Sequence, residues 1–215
     1  MIKTKHLLAI FLPAFLLVGI VLFIRIIQYQ PLFPSKEEYK KLASQSEFQI
    51  PIYAEDPIIG DKKAPLTLIV FADFGCAGCK AQMDILQQVM AKHPGKIKII
   101  WKGLPATKFP FATDLAHEYG YCLNQQNQFA EFKDLAFANS DNLSQATLSA
   151  IVKQIKIKVE KFNDCLATET AKPYLQKIEQ LALALNIQAV PTIFIDNKQI
   201  EPPQLLESWE ALLNL

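Results

Sequence analysis

The motif Cys76-Ala77-Gly78-Cys79 stands where an apolar run gives way to an amphipathic pattern, and that junction constrains the fold more than any other feature of the chain. Leu66 to Ala72 is apolar except for Thr67, as in a strand buried on both faces. Beyond Gln82, Met83, Leu86, Val89 and Met90 recur at helical spacing until Pro94-Gly95 stops the helix. Cys76 is therefore expected at or just before a helix N-terminus. Unpaired N–H groups and the positive end of the helix dipole stabilise a thiolate there. Cys79 falls inside the first turn, near enough to close a small disulfide ring. A strand, a CxxC motif and a helix in that order are the signature of a dithiol/disulfide redox site.

A length of 215 residues leaves room for one medium domain and an appendage. The 22 Lys and Arg against 21 Asp and Glu form no basic stripe, so no nucleic-acid partner is expected. The appendage is at the N-terminus, where Leu7–Ile24 runs for 18 uncharged residues broken only by Pro13 and Gly19. Such a segment reads as a cleaved signal peptide, a buried core helix or a membrane anchor. The anchor is the preferred reading. Apolar character continues through Ile26 and Ile27, and Val21-Leu22-Phe23-Ile24-Arg25 offers no small residues for a signal peptidase. Lys3 and Lys5 ahead of the run place its N-terminus inside. The expected division is a cytoplasmic tail over 1–6, a transmembrane signal anchor over 7–27, a tether over 28–50 and a folded domain over 51–215. That domain then lies on the extracytoplasmic (periplasmic) side of a cell membrane crossed once, where disulfides persist.

Within the tether, Ser35-Lys36-Glu37-Glu38 has capping-box spacing for a short helix. Pro51 to Pro65 reads as loop, with a turn signal at Gly60-Asp61. Leu66–Ala72 is the first core strand, and the alternating Lys96–Lys102 is the second. With a helix between them, they form a parallel pair joined by a right-handed crossover. From about Ala112 to Asn186 apolar residues recur three or four apart, as in Phe129, Phe132, Leu135 and Ala136, or Leu175, Ile178, Leu181 and Leu185. This is the pattern of a helical insertion. Strand character returns at Thr192–Ile195. The turn Asp196-Asn197-Lys198 leads into Gln199-Ile200-Glu201, and a last amphipathic helix follows Pro202-Pro203.

This order, an α/β chain with a β-α-β half, a helical insertion and a β-β-α half, resembles the thioredoxin fold. More closely it resembles the DsbA-like thiol:disulfide oxidoreductases, from about Asp56 to the C-terminus. Gly60-Asp61-Lys62-Lys63-Ala64-Pro65-Leu66-Thr67 resembles that family's lead-in to its first strand, and Phe71-Ala72-Asp73-Phe74-Gly75-Cys76 its approach to the active site. Val190-Pro191-Thr192-Ile193-Phe194 is similar to the loop bearing its cis-proline. The resemblance implies that Cys76 is the nucleophile and Cys79 the resolving thiol, and that the cis-Pro loop at Val190 and Pro191 pairs with a client strand. It implies no metal and no organic cofactor. Its partners are exported, cysteine-bearing client proteins and a membrane redox partner, either DsbB-like or vitamin K epoxide reductase-like. The same dithiol also serves a reductase or isomerase. A binding module with a merely structural CxxC disulfide is the reading from another class.

Two departures accompany the resemblance. Ala77-Gly78 replaces the usual Pro-aromatic or Pro-His pair, so no redox poise carries over. Many relatives also place a carboxylate six residues before the first cysteine, where this chain has Val70. Strand alternation would set Asp73 on the face opposite Val70, so Asp73 is expected to end the strand in a polar turn, with proton transfer at Cys79 left to water. Cys122 and Cys165 resemble a second pair seen in some relatives. Outside the cytoplasm they read as a structural disulfide, with two buried thiols as the plain alternative. Zinc held by all four cysteines fits poorly, because such sites show two CxxC knuckles. His6, His93 and His117 form no ligand pattern and are expected to be structural or solvated. The aromatic residues of the insertion are expected in the core, a few lining a client groove beside Cys76.

Overall fold

The computed structural model describes Pro13, residues 16–25 and residues 49–215, in two compact units, Met1–Gln49 and Ile50–Leu215. In the first unit Pro13 and residues 16–25 are helical, with their apolar side chains exposed. Among the described residues, no helix is long and apolar enough to cross a membrane. About half of the expected span over 7–27, the whole of the tail over 1–6 and nearly all of the tether over 28–50 lie outside the described residues.

The second unit is built on five strands: β1 (Ile58–Gly60), β2 (Leu66–Ala72), β3 (Ile97–Gly103), β4 (Thr192–Ile195) and β5 (Lys198–Ile200). Their order across the sheet is β1-β3-β2-β4-β5. The central pair β2 and β3 is parallel, Leu66 facing Ile97 and Ala72 facing Gly103, and the other neighbours are antiparallel. The crossover between β2 and β3 is α1 (Ala77–Lys92). Five helices follow: α2 (Asp114–Asn124), α3 (Phe129–Ala138), α4 (Gln145–Val152), α5 (Val159–Ala167) and α6 (Ala171–Ala184). The chain then returns through β4 and β5 to α7 (Leu206–Leu213). This is the thioredoxin fold with a helical insertion. One element differs from expectation. The stretch read as loop contains β1, which is too short for a period-2 signal and takes its place only by pairing with β3.

The two faces of β2 explain its unbroken apolar run. Leu68, Val70 and Ala72 join a core with Cys79, Met83, Leu86 and Val89 of α1, with Trp209 and Leu213 of α7, and with the insertion. Ile69 and Phe71 point the other way, into a second core with Tyr174, Ile178 and Leu181 of α6. Side-chain alternation thus gives every residue a buried partner surface. Gln82 stitches α1 to the C-terminal segment. Its amide accepts from the Trp209 indole N–H at 3.2 Å and donates to the Pro203 carbonyl at 3.0 Å. In the β4–β5 turn, Asp196 and Asn197 have φ of 49° and 60°, the left-handed pair that a two-residue hairpin requires.

Two further ties hold the unit together. Within the insertion, Cys122 of α2 and Cys165 of α5 are bonded, with 5.8 Å between their Cα atoms. Their separation of 43 residues makes the loop closure worth about 4 kcal/mol in the chain-entropy treatment. Beside the sheet, Lys102 and Asp56 form an ion pair at 2.5 Å with both side chains fully shielded from solvent. The Lys102 ammonium also donates to the Pro51 carbonyl, and Asp56 accepts from the Tyr174 hydroxyl and the Tyr53 N–H. This cluster fastens the segment entering the domain to β3 and α6. Replacing one partner leaves a buried charge uncompensated. Lys102→Met is therefore expected to destabilise the domain by about 3–5 kcal/mol in chemical denaturation, and a loss below about 1 kcal/mol would show the pair to be dispensable.

Candidate active site

Cys76 is the N-cap of α1, and its half-exposed sulfur accepts a hydrogen bond from the Cys79 N–H at 3.0 Å. A helix begins there because the extended backbone of Cys76 (φ −93°, ψ 112°) aims its side chain back over the first turn, as a serine cap would. Cys79 is wholly buried in that turn, and its sulfur accepts from the Asp73 N–H at 3.5 Å. The hydrogen bond with the Cys79 thiol, helped by the Cys79 and Gly78 N–H groups, lowers the Cys76 thiol to about 7, against opposing contributions from burial and from the Asp73 charge. Cys79 moves the other way: sharing its proton with Cys76, together with burial, pushes its thiol far up. One cysteine is primed and accessible. The other is protonated and sequestered.

The loop before β4 closes the site. The Val190–Pro191 bond is cis, and the Val190 carbonyl accepts from the Cys76 thiol at 3.5 Å. Pro191 lies against the motif, since a Cβ on Gly78 would sit 3.5 Å from its Cδ. Val190 and Pro191 thus meet Cys76 and Gly78 from more than a hundred residues away. Cys122 and Cys165, bonded within the insertion, are not free to join them in a shared metal site. Among the described residues, no group of three or more His, Cys, Asp and Glu is arranged to hold a metal ion.

The structure adds to the reading of Asp73 and His117 that both are buried and paired with each other. Asp73 follows the last residue of β2, so strand alternation does not govern it, and its side chain turns inward and is fully buried. Its Oδ2 accepts from the Ala106 and Thr107 N–H groups at 3.0 and 2.5 Å. Its Oδ1 accepts from the Gly75 N–H at 3.3 Å and from Nε2–H of His117, on α2, at 3.1 Å. Burial alone would raise the carboxyl, but His117 and the threonine-bearing loop outweigh it and hold Asp73 well below the usual carboxylate range. His117 is itself buried, its ring 4.7 Å from that of Phe74. Two glycines make room for this arrangement. A Cβ on Gly103 would come within 2.5 Å of His117 Nδ1, and one on Gly75 within 2.9 Å of the Thr107 side chain. The available signals were an acid at the end of an apolar strand, and a histidine beside Ala116 on the apolar face of α2. Neither reveals the other as its partner.

Two residues of a dithiol so arranged differ in reactivity as well as access. Alkylation of the reduced, folded protein should occur at Cys76 alone, with a rate that rises through about pH 7 and then levels off as the thiolate saturates. Peptide mapping after a pH series of brief alkylations checks this. A Cys76 midpoint at or above about 8.5, the value of a free thiol, would remove the case for an activated thiolate.

Comparison with known proteins bears on the fold and the family. A family model described as thioredoxin matches residues 53–214. An Na(+)/H(+) antiporter NhaA of Salinispora tropica is 23% identical over 156 residues, covering 73% of this chain and 24% of the antiporter. The chain thus spans about a quarter of the length of the first curated relatives it matches. Disulfide bond formation protein D of Bacillus subtilis is 26% identical over 162 residues, covering 67% of this chain and 69% of that protein. The thiol-disulfide exchange protein alpha-DsbA2 of Wolbachia pipientis superposes with a TM-score of 0.67 at 20% identity, over 85% of this chain and 98% of that one. At that identity the likeness speaks for the fold. The chain belongs to the thioredoxin family, with DsbA-like thiol-disulfide oxidoreductases as its structural neighbours.

Proposed function

We propose that this chain is an extracytoplasmic thiol:disulfide oxidoreductase that donates a Cys76–Cys79 disulfide to exported proteins. The asymmetry of the pair carries this reading: an accessible, activated Cys76 over a buried, protonated Cys79. In the oxidised protein a client thiolate attacks the Cys76 sulfur. The Cys76–Cys79 bond breaks, and Cys79 leaves with the electron pair and takes up a proton. A second client thiolate then attacks the client sulfur of the mixed disulfide, and Cys76 departs as a thiolate. The client has lost two electrons and the pair has gained them. The Val190 carbonyl, already within reach of Cys76, offers the edge along which a client strand would pair. Turnover requires a membrane electron acceptor, DsbB-like or vitamin K epoxide reductase-like.

Bonded Cys122 and Cys165 support an oxidising compartment, and the uncharged Leu7–Ile24 run supports retention at the membrane through an anchor over 7–27. Mass spectrometry of the protein extracted from its native membranes should find the N-terminus uncleaved. A mature form beginning between residues 20 and 40 would replace the anchor with a cleaved signal.

A second reading has an observation of its own. The Cys76 thiol at about 7 lies at the thioredoxin end of the family range rather than near the strong oxidants at about 3.5. A reductase or isomerase would use the same residues with electrons flowing outward. Equilibration with glutathione buffers separates the two. A potential between about −180 and −120 mV is expected for the donor, and one near about −270 mV would assign the reductase. Cys76→Ser should abolish exchange while the fold persists. Exchange surviving that substitution would deny Cys76 the role of nucleophile, and absence of exchange in the unaltered protein would leave only a binding module with a structural CxxC.

A further inference from the structure

A cavity of about 310 Å³ lies between α1, α3 and the β1–β3 pair, and neither cysteine of the motif lines it. Ile59 and Ile99, opposite each other on β1 and β3, and Met83 and Met90 of α1 give it apolar walls. Gln87, Ala91, Ala130 and Asp134 are exposed and form its mouth. The size is at the lower end for small-molecule sites, where a few polar groups set in apolar walls fix the ligand's orientation. Here that group is Lys133 of α3, whose side chain is only 4% exposed. An ammonium has three N–H groups to satisfy. Among the described residues Lys133 has one hydrogen-bond acceptor, the Asp134 carboxylate. The Phe137 ring centre is 6.0 Å away, at the outer limit of a cation–π contact. Successive helix positions do not face each other, and the Asp134 side chain is 52% exposed, so water competes with Lys133 for that carboxylate. A charge withdrawn from water and left short of acceptors costs stability that an apolar residue here would not.

We propose that this cavity binds a medium-chain fatty acid, with its carboxylate on the Lys133 ammonium and its tail along Met83, Met90, Ile59 and Ile99. The buried positive charge selects an anion. One ammonium in an apolar surround matches a carboxylate better than a dianionic phosphate, which would bring more acceptors than the site has donors. The tail follows from the walls, which offer no polar partner until Gln87 at the mouth. Met83 and Met90 are unbranched and adaptable, which suits a flexible chain. On binding, the carboxylate takes the ammonium donors that Asp134 leaves over, and Asp134 is free to turn to solvent. No covalent bond is made or broken. The site is separate from the cysteine exchange and does not rest on it.

Photolabelling tests this. The full chain in lipid nanodiscs is irradiated with decanoate carrying a diazirine on its tail, then digested and mapped. The expected result is saturable label on the peptides that hold Met83, Met90 or Ala130. Unlabelled decanoate should displace it, and decanol, which has the same tail without the charge, should not. Lys133→Met keeps an unbranched apolar stem and removes the ammonium. It should weaken labelling about tenfold, as expected for losing a hydrogen bond between charged groups. A lysine that serves only the fold would give no saturable label at all. The inference is overturned by label spread over the surface, by label that decanoate does not displace, or by displacement with decanol as readily as with decanoate. Undiminished labelling of a folded Lys133→Met protein overturns it as well. If Lys133→Met does not fold, the unaltered protein decides, through the position of the label and the decanol comparison.

Discussion

At the end of β2 the chain must leave the sheet, start a helix within four residues and keep two sulfurs close together, and the buried Asp73 carboxylate makes that possible. A charge withdrawn from water is tolerable only when every lone-pair direction meets a donor. Three of the donors are backbone N–H groups, two of them from the loop after β3, and the fourth is His117 of α2. One side chain thereby joins the exit of β2, the exit of β3 and the first helix of the insertion. The cysteine pair inherits its geometry from this knot, because the Asp73 backbone contacts both cysteines.

The sheet supplies the rigid floor. Alternation along β2 sends Leu68, Val70 and Ala72 to α1, α7 and the insertion, and Ile69 and Phe71 to α6. Neither face can slip by one residue without exchanging the two cores. The Lys102–Asp56 pair and its tyrosine partners secure the edge where the domain begins, and the Cys122–Cys165 bond secures the insertion. Both ties stand apart from the cysteine pair. Stability and reactivity are carried by separate groups, with Asp73 the residue where the two meet.

The chemistry of the site follows from a difference in environment between two otherwise identical thiols. A cap position with donated hydrogen bonds favours an anion, whereas a closed apolar pocket favours the neutral thiol. Cys76 has the first and Cys79 the second, three positions later. The Val190 carbonyl adds a polar edge without adding a charge. No side chain between the cysteines contributes a ring or a donor, so the tuning is carried by backbone N–H groups, those of Gly78 and Cys79, and by the surroundings of the motif.

Local information determined a great deal here. The apolar run, the CxxC spacing and the helical periodicity after it are short-range patterns, and they place a strand and a helix with Cys76 at its cap and Cys79 in its first turn. The insertion and the closing hairpin were legible for the same reason, since periodicity and turn chemistry depend on near neighbours. The edge strand β1 was not, because three residues carry no period and their strand state depends on β3. Only the tertiary structure decided that Asp73 turns inward, that His117 completes it and that glycines at 75 and 103 leave the space. An acid and a histidine 44 positions apart have no local signature of partnership. Their pairing exists because β2, β3 and α2 converge on one point, and a buried carboxylate at that point is stable only when all of them arrive.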